Sequence, residues 1–167
     1  IEPQPNYPFD FLQGDVTANG GAGTAAGNNG GPGGVVTVVA DRGALTIDDI
    51  TALGGVGGAG GTAGAAGTLQ LGADATIGQQ TGTALKAGGL KLIGLSGAIT
   101  LANATNDVAV LAASLSSNSL SYTDASAVTV GTVPAAGSGL GSFFEKDGLF
   151  ASGAVPSEQT STSAANP

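Results

Sequence analysis

The sequence predicts an all-β solenoid, with short strands stacked rung over rung and no long helix. Three observations carry the prediction. Brief runs of alternating apolar and polar residues recur along most of the chain. The order strand phrase, glycine tract, strand phrase is written twice. No helix-length window shows apolar residues at a 3.6-residue period.

Composition narrows the chemistry first. Of 167 residues 31 are Gly, aromatics make up 4% and charged residues 10%. There is no His, Cys, Met or Trp. Zinc sites of Cys and His, disulfide scaffolds, thiol nucleophiles and His-based proton transfer therefore lack their raw material. Lys and Arg total 4 against 12 Asp and Glu, a net charge of −8, so no phosphate-neutralising nucleic-acid surface is expected. The length suffices for one domain with a core, and the small or β-branched apolar residues suit a narrow, stacked interior. No apolar run approaches the ~20 residues of a membrane-spanning helix. A chain that begins at Ile1 and holds no Met reads as a processed product or a piece of something longer.

Residues 1–14 read as an N-terminal arm. Pro3, Pro5 and Pro8 alternate with Tyr7, Phe9 and Phe11, and prolines at that density favour extended backbone over helix. Residues 15–133 carry the repeat. Asp15-Val16-Thr17-Ala18 precedes a glycine tract over 19–34 and then Val35-Val36-Thr37-Val38-Val39. Thirty-four residues after Asp15, Asp49-Ile50-Thr51-Ala52 precedes a second tract over 53–67 and then Thr68-Leu69-Gln70-Leu71. Repetition of this kind signals stacked units.

Beyond Gly67 the tracts stop and the strand phrases continue. Alternation marks Leu45-Thr46-Ile47, Ala75-Thr76-Ile77, Leu90-Lys91-Leu92-Ile93, Ile99-Thr100-Leu101, Val108-Ala109-Val110-Leu111, Leu120-Ser121-Tyr122 and Val128-Thr129-Val130. All but Val108-Ala109-Val110, where Ala intervenes, place apolar residues at i and i+2 with Thr, Gln, Lys or Ser between them, the pattern of a half-buried strand. Phrases often begin nine residues apart, as Val36 to Leu45 and Leu90 to Ile99 do. Residues 134–167 change character: a Pro/Ala/Gly/Ser linker, an aromatic segment with Phe143, Phe144 and Phe150, and a small polar tail.

Each glycine tract holds eight Gly. Fixing a Gly backbone costs roughly 0.5–1 kcal/mol more than fixing Ala, so ordering both tracts costs on the order of 8–16 kcal/mol extra. Either the tracts are mobile loops, or close backbone packing that only Gly permits offsets the cost through hydrogen bonds, as in stacked polyproline-II-like segments. The matched tract lengths favour the ordered arrangement.

The phrases Gly97-Ala98-Ile99-Thr100-Leu101, Asp107-Val108-Ala109-Val110-Leu111-Ala112-Ala113 and Ala127-Val128-Thr129-Val130-Gly131-Thr132-Val133 resemble the secreted bacterial exoproteins and adhesins with filamentous-haemagglutinin-type repeats. The Gly-rich connector leading into a VxVxA strand over 30–40 is similar too. The likeness covers roughly residues 15–133. It implies a right-handed parallel β-helix, export to the cell surface, and a role in adhesion or matrix building.

Candidate chemistry is sparse. Neither tract has the Gly-Lys-Ser/Thr that a phosphate loop requires, and neither holds the Asp of calcium-binding nonapeptides. Asn103, Asn106 and Asp107 could ligate a cation, although a polar turn is the plainer reading. Asp48-Asp49, read as part of a strand, would send its two carboxylates to opposite faces. Glu145-Lys146-Asp147 reads as a solvated turn. Thr81-Gly82-Thr83 is too little for a regular threonine face. Catalytic residues, cofactor and metal are all expected to be absent.

Apart from Tyr122, the aromatics fall in the arm (Tyr7, Phe9, Phe11) and the tail (Phe143, Phe144, Phe150). There they could cap the open ends of the solenoid or join one subunit to the next. The expectation is a structural subunit of an extracellular filament, matrix or adhesin stalk, secreted to the cell surface and partnered by copies of itself. A module binding cell-surface glycans is the competing class, and a polysaccharide-active enzyme ranks behind both.

Overall fold

Nearly every alternating phrase forms strand, and every strand pairs in parallel. The structure, a computed structural model, describes residues 9–11, 14–40, 43–116 and 118–134. Among these it has twelve strands and no helix: β1 (Phe9–Phe11), β2 (Val16–Thr17), β3 (Val35–Ala40), β4 (Ala44–Ile47), β5 (Ile50–Ala52) and β6 (Thr68–Ala73), then β7 (Ile77–Gln79), β8 (Leu85–Gly94), β9 (Ile99–Leu101), β10 (Asp107–Leu115), β11 (Leu120–Tyr122) and β12 (Thr129–Val130). One sheet has the order β1-β4-β7-β9-β11. The other runs β12-β10-β8-β5-β2, with β6 also on β8 and β3 on β6. Apart from β2–β3 and β5–β6, each pair of which stays in one sheet across a glycine tract, the chain visits the two sheets alternately, and the nine-residue spacing between phrases is the step from one sheet to the other, as from Leu90 in β8 to Ile99 in β9.

The pairing offset changes where the glycine tracts end. Val16 lies opposite Ile50, and Val35 opposite Thr68, offsets of 34 and 33 residues. Lys86 lies opposite Asp107 and Val110 opposite Thr129, offsets of only 21 and 19. Strand β8 explains the difference. Its residues Leu85–Ala87 pair with β5 and Gly89–Gly94 with β6, so one continuous strand faces two that a tract separates. The tracts over 19–34 and 53–67 are thus excursions from a single strand position. At the matching place in β8, the Gly88 and Gly89 N–H groups both donate to the Gly67 carbonyl.

Parallel register stacks like on like. Val36, Leu69, Leu90 and Leu111 form one inward row and Leu45, Ile77 and Ile99 another, all buried. A fully buried Leu or Ile contributes about 1.5–3 kcal/mol, so rows of this kind replace the aromatic filling the composition lacks.

Three local readings change. Alternation at 75–77 does not set β7, which starts at Ile77: the chain bends at Asp74-Ala75, where the Asp74 carboxylate accepts the Gly43 N–H at 2.8 Å. Asp48 and Asp49 lie between β4 and β5, outside any strand, so strand alternation does not separate their side chains. Gln70 and Lys91, expected to face solvent, lie opposite each other in β6 and β8 and are buried, with the Gln70 amide atoms making no hydrogen bond. The adjacent row is covered from outside by Val133, itself buried, whose side chain lies over Gly89.

Candidate functional site

The two glycine tracts form one ordered body. Segments 19–24 and 53–58 run parallel, with Gly20 and Gly23 N–H donating to Leu53 and Val56 carbonyls at 2.8 Å. Segments 28–34 and 61–67 also run parallel, Gly30 and Gly33 donating to Thr62 and Ala65. Antiparallel bonds tie these layers together: Gly31 to Gly21 and Gly64 to Gly55 near the edges, Gly55 to Gly31 and Gly58 to Asn28 across the middle. Donors recur every third residue, the repeat of polyproline-II-type backbone.

Close approach follows the same three-residue repeat. A Cβ placed on Gly30 would fall inside the van der Waals shell of the Gly55 carbonyl oxygen. One on Gly64 would meet Gly31, and one on Gly67 would meet Gly34. Here the requirement for Gly is steric, since the strands of backbone touch with no side chain between them.

Asn19 and Asn29 add side-chain acceptors for the Leu53 and Thr62 N–H groups at 2.8 and 3.0 Å. Eleven hydrogen bonds between segments of the tracts at about 0.5–1.5 kcal/mol each come to roughly 6–17 kcal/mol, which matches the extra glycine ordering cost. The remaining positions face outward. Leu53 and Val56 are 39% and 68% exposed, and neither tract contains a charged residue.

The terminal aromatics divide. Phe9 and Phe11 belong to β1, which pairs in parallel with β4 and forms one edge of its sheet, so part of the arm joins the sheet. Tyr7, Phe143, Phe144 and Phe150 lie outside the described residues, as does Glu145-Lys146-Asp147.

Carboxylates gather at one corner. Asp15, Asp48 and Asp49 bring carboxylate oxygens within 4.8 Å of one another, where they could offer oxygen ligands to a hard cation. Asp49 spends one oxygen on the Ala84 N–H at 2.7 Å, and Asp48 spends one on the Asp49 N–H at 3.1 Å. The first ties successive passes of the chain and the second is a local bond within the turn.

The Asn103/Asn106/Asp107 loop serves the fold. Asn103 donates to the Gln80 and Thr83 carbonyls, Asp107 accepts from the Ser126 hydroxyl, and fully buried Asn106 bonds inward to four residues. Thr83 is buried, with its hydroxyl on the Gln80 carbonyl, and contributes to no exposed threonine face.

Burial, and then donation to the Asp124 carboxylate at 2.5 Å, hold the Tyr122 hydroxyl well above its usual pKa. The folded chain therefore keeps a proton that the unfolded chain releases near pH 10, and stability is expected to fall as pH rises beyond that point. Thermal melts between about pH 9 and 11 should show the Tyr122→Phe variant losing stability less steeply than the wild type. Equal slopes would contradict the assignment.

Sequence reasoning missed the joining of the tracts into one four-segment body, although their equal glycine content and similar length are the signal for it. Comparison of the chain with protein-family models, curated proteins and solved structures finds no match.

Proposed function

We propose that the chain is a parallel β-solenoid, right-handed, that serves as a structural subunit of an extracellular filament, matrix or adhesin stalk of the filamentous-haemagglutinin type. One observation carries the reading. The strands pair in parallel from β1 and β2 at one end to β11 and β12 at the other, and the chain alternates between sheets as it advances. Such a body is stiff along its stacking axis and has two unlike ends, which favours head-to-tail growth into an open filament. Terminal aromatics supply further attachment, and the work done is mechanical.

Sedimentation of the purified chain is expected to show concentration-dependent, heterogeneous high-mass species, visible as fibres in negative stain. A strictly monomeric profile up to high concentration would overturn the filament reading. Replacing Phe143 and Phe144 by Ser should weaken assembly or lower the melting temperature, and no change in either would remove the tail from the mechanism.

A second reading has its own support. The glycine body presents an ordered, uncharged surface carrying Leu53 and Val56, which suits a surface- or glycan-binding module. Binding to a glycan array that a Val56→Asp variant abolishes would favour it over the filament.

A further inference from the structure

We propose that copies join by strand addition, the free edge of β12 in one copy pairing in parallel with the free edge of β3 in the next. This rests on the filament reading and specifies its joint, which the terminal aromatics alone do not.

The described residues leave both edges open: β3 pairs only with β6, and β12 only with β10. Both edges expose large apolar side chains, Val35 at 47% in β3 and Val130 at 45% in β12. Val130 is exposed for a specific reason. It continues the inward row of Val36, Leu69, Leu90 and Leu111, and lies at the end where that row has no further strand above it. At the opposite end the same row stops at Val36. A second copy set on β12 in the existing register places its Val36 over Val130 and its Val35 opposite Thr129, extending two rows the fold already contains.

Charge permits the approach. Each copy carries −8, yet neither residues 35–40 nor residues 125–134 include a charged side chain, so like-charge repulsion is weakest where these edges meet. Edge strands of natural proteins are usually blunted by charge or Pro, and this pair has neither within its strands. Backbone pairing would supply affinity, and the apolar row would set register.

The chain contains no Cys, so the joint can be tested by cross-linking. Neighbouring parallel strands lie about 4.8 Å apart, within the Cα separation a disulfide spans. Under oxidising conditions the double variant Val35→Cys/Thr129→Cys is expected to form a ladder of disulfide-linked multimers. Val35→Cys and Thr129→Cys mixed together should give linked pairs, and neither should link to itself alone.

In parallel, Val130→Lys should raise the concentration for half-assembly by at least about tenfold with little change in melting temperature. If the wild type assembles but the double variant yields no ladder, or if either single variant links to itself as readily as the mixture does, strand addition is wrong and the filament reading survives. If the wild type remains a monomer, the filament reading fails and takes this joint with it.

Discussion

Alanine at Gly64 is expected to dismantle the glycine body while leaving β8–β10 intact. The added Cβ would fall inside the Gly31 carbonyl oxygen, and that backbone cannot move away freely, because Gly31 N–H is bonded to Gly21 and its carbonyl accepts from Gly55. Overpacking against side chains typically costs 1–3 kcal/mol, and here the obstacle is backbone tied on both sides, so a loss of about 3–5 kcal/mol is expected.

Gly21 is the control. It lies in the same body with open space where its Cβ would sit and no positive φ, so Gly21→Ala should stabilise by roughly 0.4–1 kcal/mol through the unfolded state. Native-state hydrogen exchange would read both. In Gly64→Ala the amides of Gly20, Gly23, Gly30 and Gly33 should lose protection while those of Leu90, Leu92 and Leu111 keep theirs. Similar exchange patterns in the two variants would mean that the glycines are there for flexibility, contrary to the close packing described.

The contrast between Gly64 and Gly21 also shows how far the sequence could be read. Alternation at Leu45, Leu90, Ile99 and Leu120 locates strands because a period of two has no competing explanation in so glycine-rich a chain. The 34-residue repeat announces stacking, and the like-on-like rows at Leu69, Leu90 and Leu111 bear out that stacking at the level of parallel sheets.

What was not legible depends on where the chain lies relative to its neighbours. No alternating phrase spans Gly88-Gly89, yet it is the place where β8 runs straight past the point at which two earlier passes leave the sheet. Gln70 and Lys91 read as solvent-facing because alternation reports only that two faces differ, not whether the outer one is later covered. The need for Gly at position 64 and its absence at position 21 follow from which neighbouring segment faces each residue, and composition carries no record of that.

Removing the Asn106 side chain is expected to be the most damaging single change outside the glycine body. Its Oδ1 accepts from the Leu85 N–H at 2.9 Å and from Gln79 Nε2 at 2.8 Å. Its Nδ2 donates to the Gln79 amide oxygen and to the Leu101 carbonyl at 3.1 Å, and to the Thr123 carbonyl at 3.2 Å. One buried amide thus connects strands of both sheets at the turn where the chain crosses between them, and Asn106→Ala strands several of these partners away from water. At about 1–3 kcal/mol for each buried group left unpaired, partly relieved by relaxation, a loss of roughly 3–5 kcal/mol is expected, or ~6–20 °C in melting temperature for a domain of this size.

Asn106→Asp separates hydrogen bonding from volume. It keeps the shape and the acceptor for Leu85, but substitutes a buried carboxylate for the amide donor. Burial raises the folded-state pKa of that carboxyl above its unfolded value near 4, so the variant should recover stability relative to wild type as pH falls through the folded pKa. Were Asn106 only filling space, the near-isosteric Asn106→Leu, which buries no charge, would melt with the wild type, whereas loss of the Leu85, Gln79, Leu101 and Thr123 bonds should cost it stability at every pH.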